Sequence, residues 1–326
     1  MTMVGDVSKT VLVVIVNYRS AGLAIDCLRS LEPEVASYPQ ARVVVVENAS
    51  GDDSAERLAS AIDREGWGGW VSLVVAPRNG GFAAGNNVAI GPALASSTPP
   101  DLIWLLNPDT IVHPGALCEL VDFLGRRPDV GLAGSRLEKP DGSAWPSAFR
   151  FPTVLSELES GLRLGPISRL LDRHIVMPPV PDGEVPTGWV AGASLMIRRE
   201  VFGAIGLLDE GYFMYFEEVD FCLKAAKAGW PCWYVPGSRV IHLVGQSSDV
   251  GTQSESQKRR PRYWFDARRR FFVRNYGRAR TFAADVAYTL ALASYRLRRR
   301  VQRKVDPDPR WMLWDFFRYN FLPVRR

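Results

Sequence analysis

Residues 11–20 read VLVVIVNYRS, six apolar positions in a row that stop at a polar turn. A run this short, without polar alternation, suits a strand buried on both faces of a parallel sheet. The same pattern recurs at Arg42 to Val46, Val71 to Ala76 and Leu102 to Leu106, each closed by polar residues. Helix-like segments lie between and after them, at Ala21 to Leu31, Ser54 to Ile62, Phe82 to Leu94 and Pro114 to Leu124. Alternation of this kind predicts an α/β fold, a doubly wound and mostly parallel sheet.

Ligands bind such sheets beyond the carboxyl ends of the strands. The candidate site is therefore Asn17-Tyr18-Arg19, Glu47-Asn48-Ala49-Ser50, Asn79-Gly80-Gly81-Phe82 and Asn107-Pro108-Asp109. Any one of these reads equally well as an ordinary turn. Four on one edge point to a site. No GxGxxG follows the first strand, GGFAAG at 80–85 has the wrong glycine spacing, and no P-loop occurs, which argues against a dinucleotide oxidoreductase or a P-loop nucleotidase.

Farther along, residues 151–186 are rich in Pro, Leu and Arg without clear period and read as an irregular insertion. Trp189 to Ile197 reads as one strand and Val219 to Ala228 as an amphipathic helix ended by Gly229. Cys232 to Val235 and Arg239 to Ile241 read as short strands leading to His242.

Composition bounds the class. With 47% hydrophobic and 23% charged residues among 326, the chain is neither disordered nor fibrous. The longest apolar run, Phe282 to Leu292, is interrupted by Asp285 and too short to span a bilayer. MTMVGDVSKT lacks a basic segment followed by an apolar one, so the expected location is cytoplasmic. Cys27, Cys118, Cys222 and Cys232 form no CxxC pair and are expected to be reduced thiols.

Charge is unevenly spread. Sixteen Lys and Arg lie between Lys258 and Lys304 against two acids, whereas residues 1–257 carry twenty basic and thirty acidic side chains. The basic stretch, interleaved with Trp264, Phe265, Phe271 and Phe272, is expected to lie on an anionic membrane with its rings at the headgroup boundary.

Three groups could carry chemistry. Asp109 ends the fourth strand, where a carboxylate can hold a divalent metal against a diphosphate. Glu217, Glu218 and Asp220 lie among Tyr212, Phe213, Tyr215 and Phe216, an aromatic surround that desolvates a carboxylate and raises its basicity. His242 gains meaning beside a metal that Asp109 already holds.

The motifs NYRS, ENAS, NGGFAAGNN, NPD, GWVAGASLMIRREVF and IGLLDEGYFMYFEEVDFCLKAAKAGW, with the later histidine, resemble family 2 glycosyltransferases of the GT-A fold over about residues 10–250. PDGSAWPS and FMYFEEVD are most similar to bacterial rhamnosyltransferases that extend polyprenyl-diphosphate-linked sugars. The resemblance implies a catalytic domain over 1–257, with a nucleotide-sugar half at about 10–135 and an acceptor half at about 136–257. A basic helical extension over 258–326 comes after it, associated with the inner face of the cell membrane.

It implies donor nucleotide contacts from Asn17, Tyr18, Arg19, Glu47, Asn79, Gly81, Phe82, Asn86 and Asn107, and acceptor contacts from Trp189, Gly192 and Asp220. Asp109 and His242 would hold Mg²⁺ or Mn²⁺, and Glu218 would be the catalytic base with Glu217 in reserve. The implied reaction is an inverting transfer of L-rhamnose from dTDP-rhamnose to a polyprenyl-diphosphate-linked saccharide in cell-envelope polysaccharide synthesis. Three departures stand out: Glu47 for the commoner Asp, Asn107 where the first Asp of a DXD motif stands, and Glu217-Glu218 for Glu-Asp.

A galactofuranosyl- or other hexosyltransferase using a UDP-sugar is the alternative, and a non-catalytic membrane-binding module the reading from another class. NYRSAGL lacks the phosphate loop of a sugar nucleotidyltransferase. Nucleic acid is set aside as a partner, because a lipid-linked acceptor makes the membrane the simpler match for the basic tail.

Overall fold

The computed structural model describes residues 9–243 and 259–322. The residues behind the leader expectation, 1–8, and Lys258 at the head of the basic tail lie outside the described residues.

In chain order the elements are β1 (Val11–Asn17), α1 (Ala21–Ser37), β2 (Ala41–Glu47), α2 (Ser54–Arg64), β3 (Val71–Val75), α3 (Gly81–Leu94), β4 (Leu102–Leu106), β5 (Thr110–Val112), α4 (Ala116–Arg126), β6 (Leu132–Glu138), β7 (Ala144–Trp145) and β8 (Ala148–Phe149). Next come α5 (Val154–Leu162), α6 (Gly165–Leu170), β9 (Val185–Thr187), β10 (Trp189–Val190), β11 (Ser194–Arg198), α7 (Arg199–Ile205), α8 (Glu217–Lys227), β12 (Cys232–His242), α9 (Arg262–Val301) and α10 (Met312–Phe321).

The main sheet runs β3-β2-β1-β4-β11-β6-β12-β5, with β11 antiparallel to both its neighbours. The first four strands are parallel, and their carboxyl ends are nearly flush: Asn17 pairs with Glu47, Glu47 with Val75, and Ile15 with Leu106. That register sets the four polar turns side by side. Because β11 runs the other way, its first residue, Ser194, lies opposite Leu106 at the same edge. β12 brings His242 opposite Thr110 of β5.

Alternate residues of the strands feed two cores. Val11, Val13 and Ile15 pack with α1, α2 and α4, while Leu12 and Val14 pack with α3, α7 and α8. Burial on both faces thus explains the runs of β1 and β4, whereas β3, at the edge of the sheet, leaves Ser72 and Val75 exposed, contrary to the expectation for Val71 to Ala76.

Several sequence expectations change. Trp189 to Ile197 is two strands, not one: the backbone turns at Ala191 to Ser194, so that β10 pairs with β8 in a separate small sheet while β11 enters the main one. The supposed irregular stretch contains α5 and α6. Thr153 caps α5 by accepting from the Ser156 amide, and the Ser156 hydroxyl receives the Thr153 amide in return. Cys232 to Ile241 is a single strand with a register shift between Val235 and Arg239.

The basic extension differs most. Gly277 interrupts α9 with φ 79° and ψ 167°, a conformation glycine tolerates, and the second half folds back on the first. Phe265, Phe271 and Phe272 are buried and Trp264 is half-buried, which overturns their expected place at a lipid headgroup boundary. The reason is packing: they fill the seams with α8, α10 and the second half of α9. Arg268, 2% exposed, reaches Glu157 at 2.7 Å and Asp285 at 2.6 Å. The exposed large apolar residues of the extension, among those described, are instead Phe282, Leu290, Leu297, Val301, Val305, Trp311, Trp314, Phe317 and Leu322. No described helix is long and apolar enough to cross a membrane.

Candidate functional site

The donor-side turns are tied to one another. The Glu47 carboxylate accepts from the Ser50 amide at 2.8 Å, and Ser50 accepts from the Arg19 amide and guanidinium, each at 2.9 Å. Arg19 holds a positive φ of 54° and its guanidinium lies over the exposed ring of Tyr18. Asn17 is buried, its side-chain oxygen taking the Ser20 hydroxyl and its amide nitrogen without a partner among the described residues.

The Asn79 to Phe82 loop is anchored by Asn48, whose amide donates to Asn79 Oδ1 at 3.1 Å and to the Gly81 carbonyl at 3.2 Å. Gly81 has φ +82°, and a Cβ there would fall 1.7 Å from the Phe213 carbonyl oxygen. Only glycine fits so close an approach. The Phe82 amide then donates to that same carbonyl at 2.9 Å. Asn86 is buried one turn into α3, donating to the Phe82 carbonyl, with its own side-chain oxygen lacking a partner among the described residues.

Asn107, Asp109 and His242 converge at the next turn. His242 Nε2 lies 3.3 Å from Asp109 Oδ1 and 3.4 Å from Asn107 Nδ2. The Leu243 amide donates to the Asp109 carbonyl, which fixes the end of β12 over this turn. Cys27 sits beneath, and burial pushes its thiol up to about 12, leaving it a packing residue. No cluster of three or more His, Cys, Asp or Glu suited to a metal occurs among the described residues. A carboxylate and an imidazole nonetheless fit a hard divalent ion that takes its other oxygens from water and phosphate. Asp109 and His242 would hold it.

The second cluster begins with strain. Tyr215 and Phe216 have φ of 73° and 68°, a conformation that bulky residues avoid. Packing over-determines it: Phe216 lies against Phe271 and Trp264, and Tyr215 stacks on Tyr263. Glu217 and Glu218 come directly after it as the first turn of α8. The helix N-terminus favours their charge, but burial outweighs it. Burial, then the neighbouring Glu218, holds Glu217 well above the usual carboxylate range, and burial pushes Glu218 up to about 7. One carboxylate oxygen of each, Oε2, has no hydrogen-bond partner among the described residues. Buried polar atoms without partners mark places where a ligand completes the bonding.

Gly192 joins the clusters. A Cβ on it would lie 3.1 Å from the Phe82 ring and 3.8 Å from Glu218 Cβ, and the Ala193 carbonyl receives the Asn107 amide at 3.1 Å. The donor loop, the Asn107 to Asp109 turn and the glutamate pair thus meet around one short segment. Trp189 lies one strand away, stacked on Phe149 at 4.2 Å and donating to the Arg150 carbonyl. Asp220 turns away from this meeting point. It is 1% exposed, with Lys224 at 2.6 Å and the Asn275 amide at 2.6 Å, in the seam between α8 and α9. Its carboxylate is engaged in that seam, since residue 220 falls on the face of α8 opposed to α9. Asn48, part of the candidate turn after the second strand, acts as the anchor of the Asn79 to Phe82 loop, whereas the Phe213 carbonyl belongs to the site without being singled out in the sequence. ENAS offers a cue for the first, and nothing local offers one for a backbone carbonyl so far along the chain from Gly81, the glycine it contacts.

A family model described as glycosyltransferase like family 2 matches residues 9–270. The chain belongs to that family. It is 36% identical over 152 residues to N-acetylglucosaminyl-diphospho-decaprenol L-rhamnosyltransferase of Mycobacterium tuberculosis (strain ATCC 25618 / H37Rv), a match covering 45% of this chain and 48% of that protein. It is 27% identical over 168 residues to rhamnosyltransferase WbbL of Escherichia coli (strain K12), covering 50% and 61%. The chain thus spans about half the length of the curated relatives it matches. Among solved structures it is similar to the mannosyltransferase PcManGT from Pyrobaculum calidifontis, in complex with GDP-Man and Mn²⁺, with a TM-score of 0.55 at 16% identity over 90% of this chain and 75% of that one. At that identity the likeness shows the fold. This family 2-like chain has the expected GT-A architecture.

Proposed function

We propose that this chain is an inverting, divalent-metal-dependent glycosyltransferase that moves L-rhamnose from dTDP-rhamnose to a polyprenyl-diphosphate-linked saccharide of the bacterial envelope. It would work at the inner face of the membrane, with residues to 257 as the catalytic unit and those from 258 as the membrane-side extension. The observation that carries the reading is the meeting of Asp109, His242 and the Glu217-Glu218 pair around Ala191 to Ser194. The relatives' names supply the sugar and the lipid carrier.

The chemistry is derived from the residues. The acceptor oxygen attacks the anomeric carbon as its bond to the diphosphate breaks, and the acceptor proton passes to Glu218, whose pKa near 7 leaves it substantially ionised at neutral pH. Burial and the neighbouring Glu218 raise Glu217 well above the usual carboxylate range, which favours its neutral form over a second charge beside the base. Mg²⁺ or Mn²⁺ held by Asp109 and His242 would neutralise charge on the departing diphosphate. A single displacement inverts the anomeric centre.

Thermal shift with a panel of dTDP- and UDP-sugars in Mn²⁺ or Mg²⁺, followed by analysis of the product anomer, tests the reading. Stabilisation by dTDP-rhamnose and an inverted product are expected. Preference for UDP-sugars would move the assignment to another hexose, and no response to any nucleotide sugar would refute the enzyme.

A further inference from the structure

The strained turn before α8 has two sides. On one, the Phe213 carbonyl closes the donor loop. On the other, the Phe216 ring lines a cavity of about 220 Å³ between α5, the head of α9 and α10.

The wall of this cavity mixes aromatic surface with charge. Most of the charge cancels: Arg268 lies 2.7 Å from Glu157 and Arg163 lies 3.0 Å from Asp308. Arg260 is different. Among the described residues no carboxylate lies within ion-pairing distance of it, and its guanidinium rests 5.7 Å from the centre of the Trp264 ring. Tyr288 also faces the cavity, and its hydroxyl has no hydrogen-bond partner among the described residues. Burial raises that phenol above its ordinary range, so it stays a neutral donor.

Ring faces that cover apolar C–H surface, a spare guanidinium and a spare hydroxyl are the chemistry that recognises a sugar bearing phosphate. Placement narrows the ligand. Phe216, directly before the glutamate pair in the chain, and Met312 both line the cavity, and Met312 lies next to the half-exposed Trp311 and two residues before Trp314 on α10. The cavity is therefore tied through Phe216 to the glutamate pair and through Met312 to an exposed aromatic face, the three parts that the hydroxyl, the diphosphate and the lipid of a carrier-linked sugar require. The donor diphosphate belongs on the opposite side of the turn, beside Asp109.

We propose that the cavity between Phe216 and Met312 holds the glycosyl diphosphate of a lipid-linked acceptor, with Arg260 on the diphosphate, Tyr288 donating to the same ligand, and the lipid leaving across α10. This inference rests on the glycosyltransferase reading above.

Isothermal titration of the full chain tests it, using N-acetylglucosaminyl diphosphate on a short prenyl chain and, for comparison, uncharged octyl N-acetylglucosaminide. The wild type should bind the diphosphate compound more tightly, and Arg260→Ala should weaken that binding ~10- to 100-fold, the range for a lost charge-assisted contact. Tyr288→Phe, which removes only the hydroxyl, should weaken it less but measurably. Wild-type binding that ignores the diphosphate, or both variants binding as the wild type does, would overturn the proposal. A separate titration of the wild type with dTDP- and UDP-sugars reports on the glycosyltransferase reading itself, so the two failures are distinguishable.

Discussion

Glu218→Gln should make the enzyme slower and the fold sturdier at once. Burial holds the Glu218 carboxyl at about 7 in the folded chain, against the ordinary 4.5 of an exposed glutamate. Below 4.5 folded and unfolded chains both carry the proton. Between 4.5 and 7 the unfolded chain loses it while the folded chain keeps it, so stability falls as pH rises. Above 7 the full cost of the buried charge is present, on the order of 3 kcal/mol. Glutamine removes that cost, because it stays neutral at every pH. Melting temperature at about pH 8.5 should therefore rise by on the order of 5 °C in the variant and be nearly unchanged at about pH 4. Turnover should fall ~10²- to 10⁴-fold, the usual contribution of a general base, and the wild-type rise in rate through about pH 7 should disappear. Glu217→Gln is the control: burial and then Glu218 raise that carboxyl well above the usual carboxylate range and favour its neutral form, which the amide mimics, so the rate should change less than ~10-fold. Melting curves and initial rates across this pH range suffice. A Glu218 variant that melts lower than the wild type in alkaline buffer, or a larger rate loss at Glu217, would refute the assignment of base and neutral partner.

Asp109→Ala should abolish the metal-dependent part of donor stabilisation, and His242→Ala should weaken it by at least ~10-fold; equal donor affinity with and without EDTA in the wild type would refute the metal reading. Gly81→Ala places a Cβ against the Phe213 carbonyl at a left-handed φ, so donor affinity and melting temperature should both drop, by ~1–3 kcal/mol in stability. Arg268→Ala strands Glu157 of α5 and Asp285 of the helical extension and should cost ~3–5 kcal/mol by denaturant titration, with a loss under ~1 kcal/mol contradicting the buried triad. For membrane association, replacing Trp311, Trp314 and Phe317 with Ser should lower sedimentation with anionic vesicles ~10-fold or more, while Phe265 and Phe271 are the wrong targets because they are buried.

How legible the chain is depends on whether a feature is local. β1 and β4 can be read because strands buried on both faces leave unbroken apolar runs, β3 can be read although its edge position leaves Ser72 and Val75 exposed, and the carboxyl edge can be read because parallel strands of similar length end together. Asp109, His242 and the glutamate pair are likewise marked by their immediate neighbours in the chain: an apolar strand before each of the first two, and aromatic residues around the third. Trp189 to Ile197 reads as one strand because apolar content does not report which sheet a strand joins, and a turn at Ala191 to Ser194 sends its two halves to different ones. α5 is hidden by the Pro and Arg residues around it, although Thr153 and Ser156 carry its cap.

The basic extension shows a deeper limit, since composition counts charges and rings without saying which way they point. Arg268 and Phe265, one helical turn apart, face the same interior, and the guanidinium survives there because two carboxylates from α5 and from the second half of α9 meet it. An amphipathic pattern defines an apolar face but leaves open whether lipid or protein covers it. Here protein covers the rings near the start of α9, while the exposed rings lie on its second half and on α10. The extension therefore has a packed inner face and an exposed outer one. Its inner face holds Phe216 in a conformation that a bulky residue adopts only under constraint, and that conformation starts α8 at Glu217. Removing the extension should therefore disturb the Glu217-Glu218 pair even in an assay without a membrane, whereas changing only the outer rings of α10 should leave that pair in place.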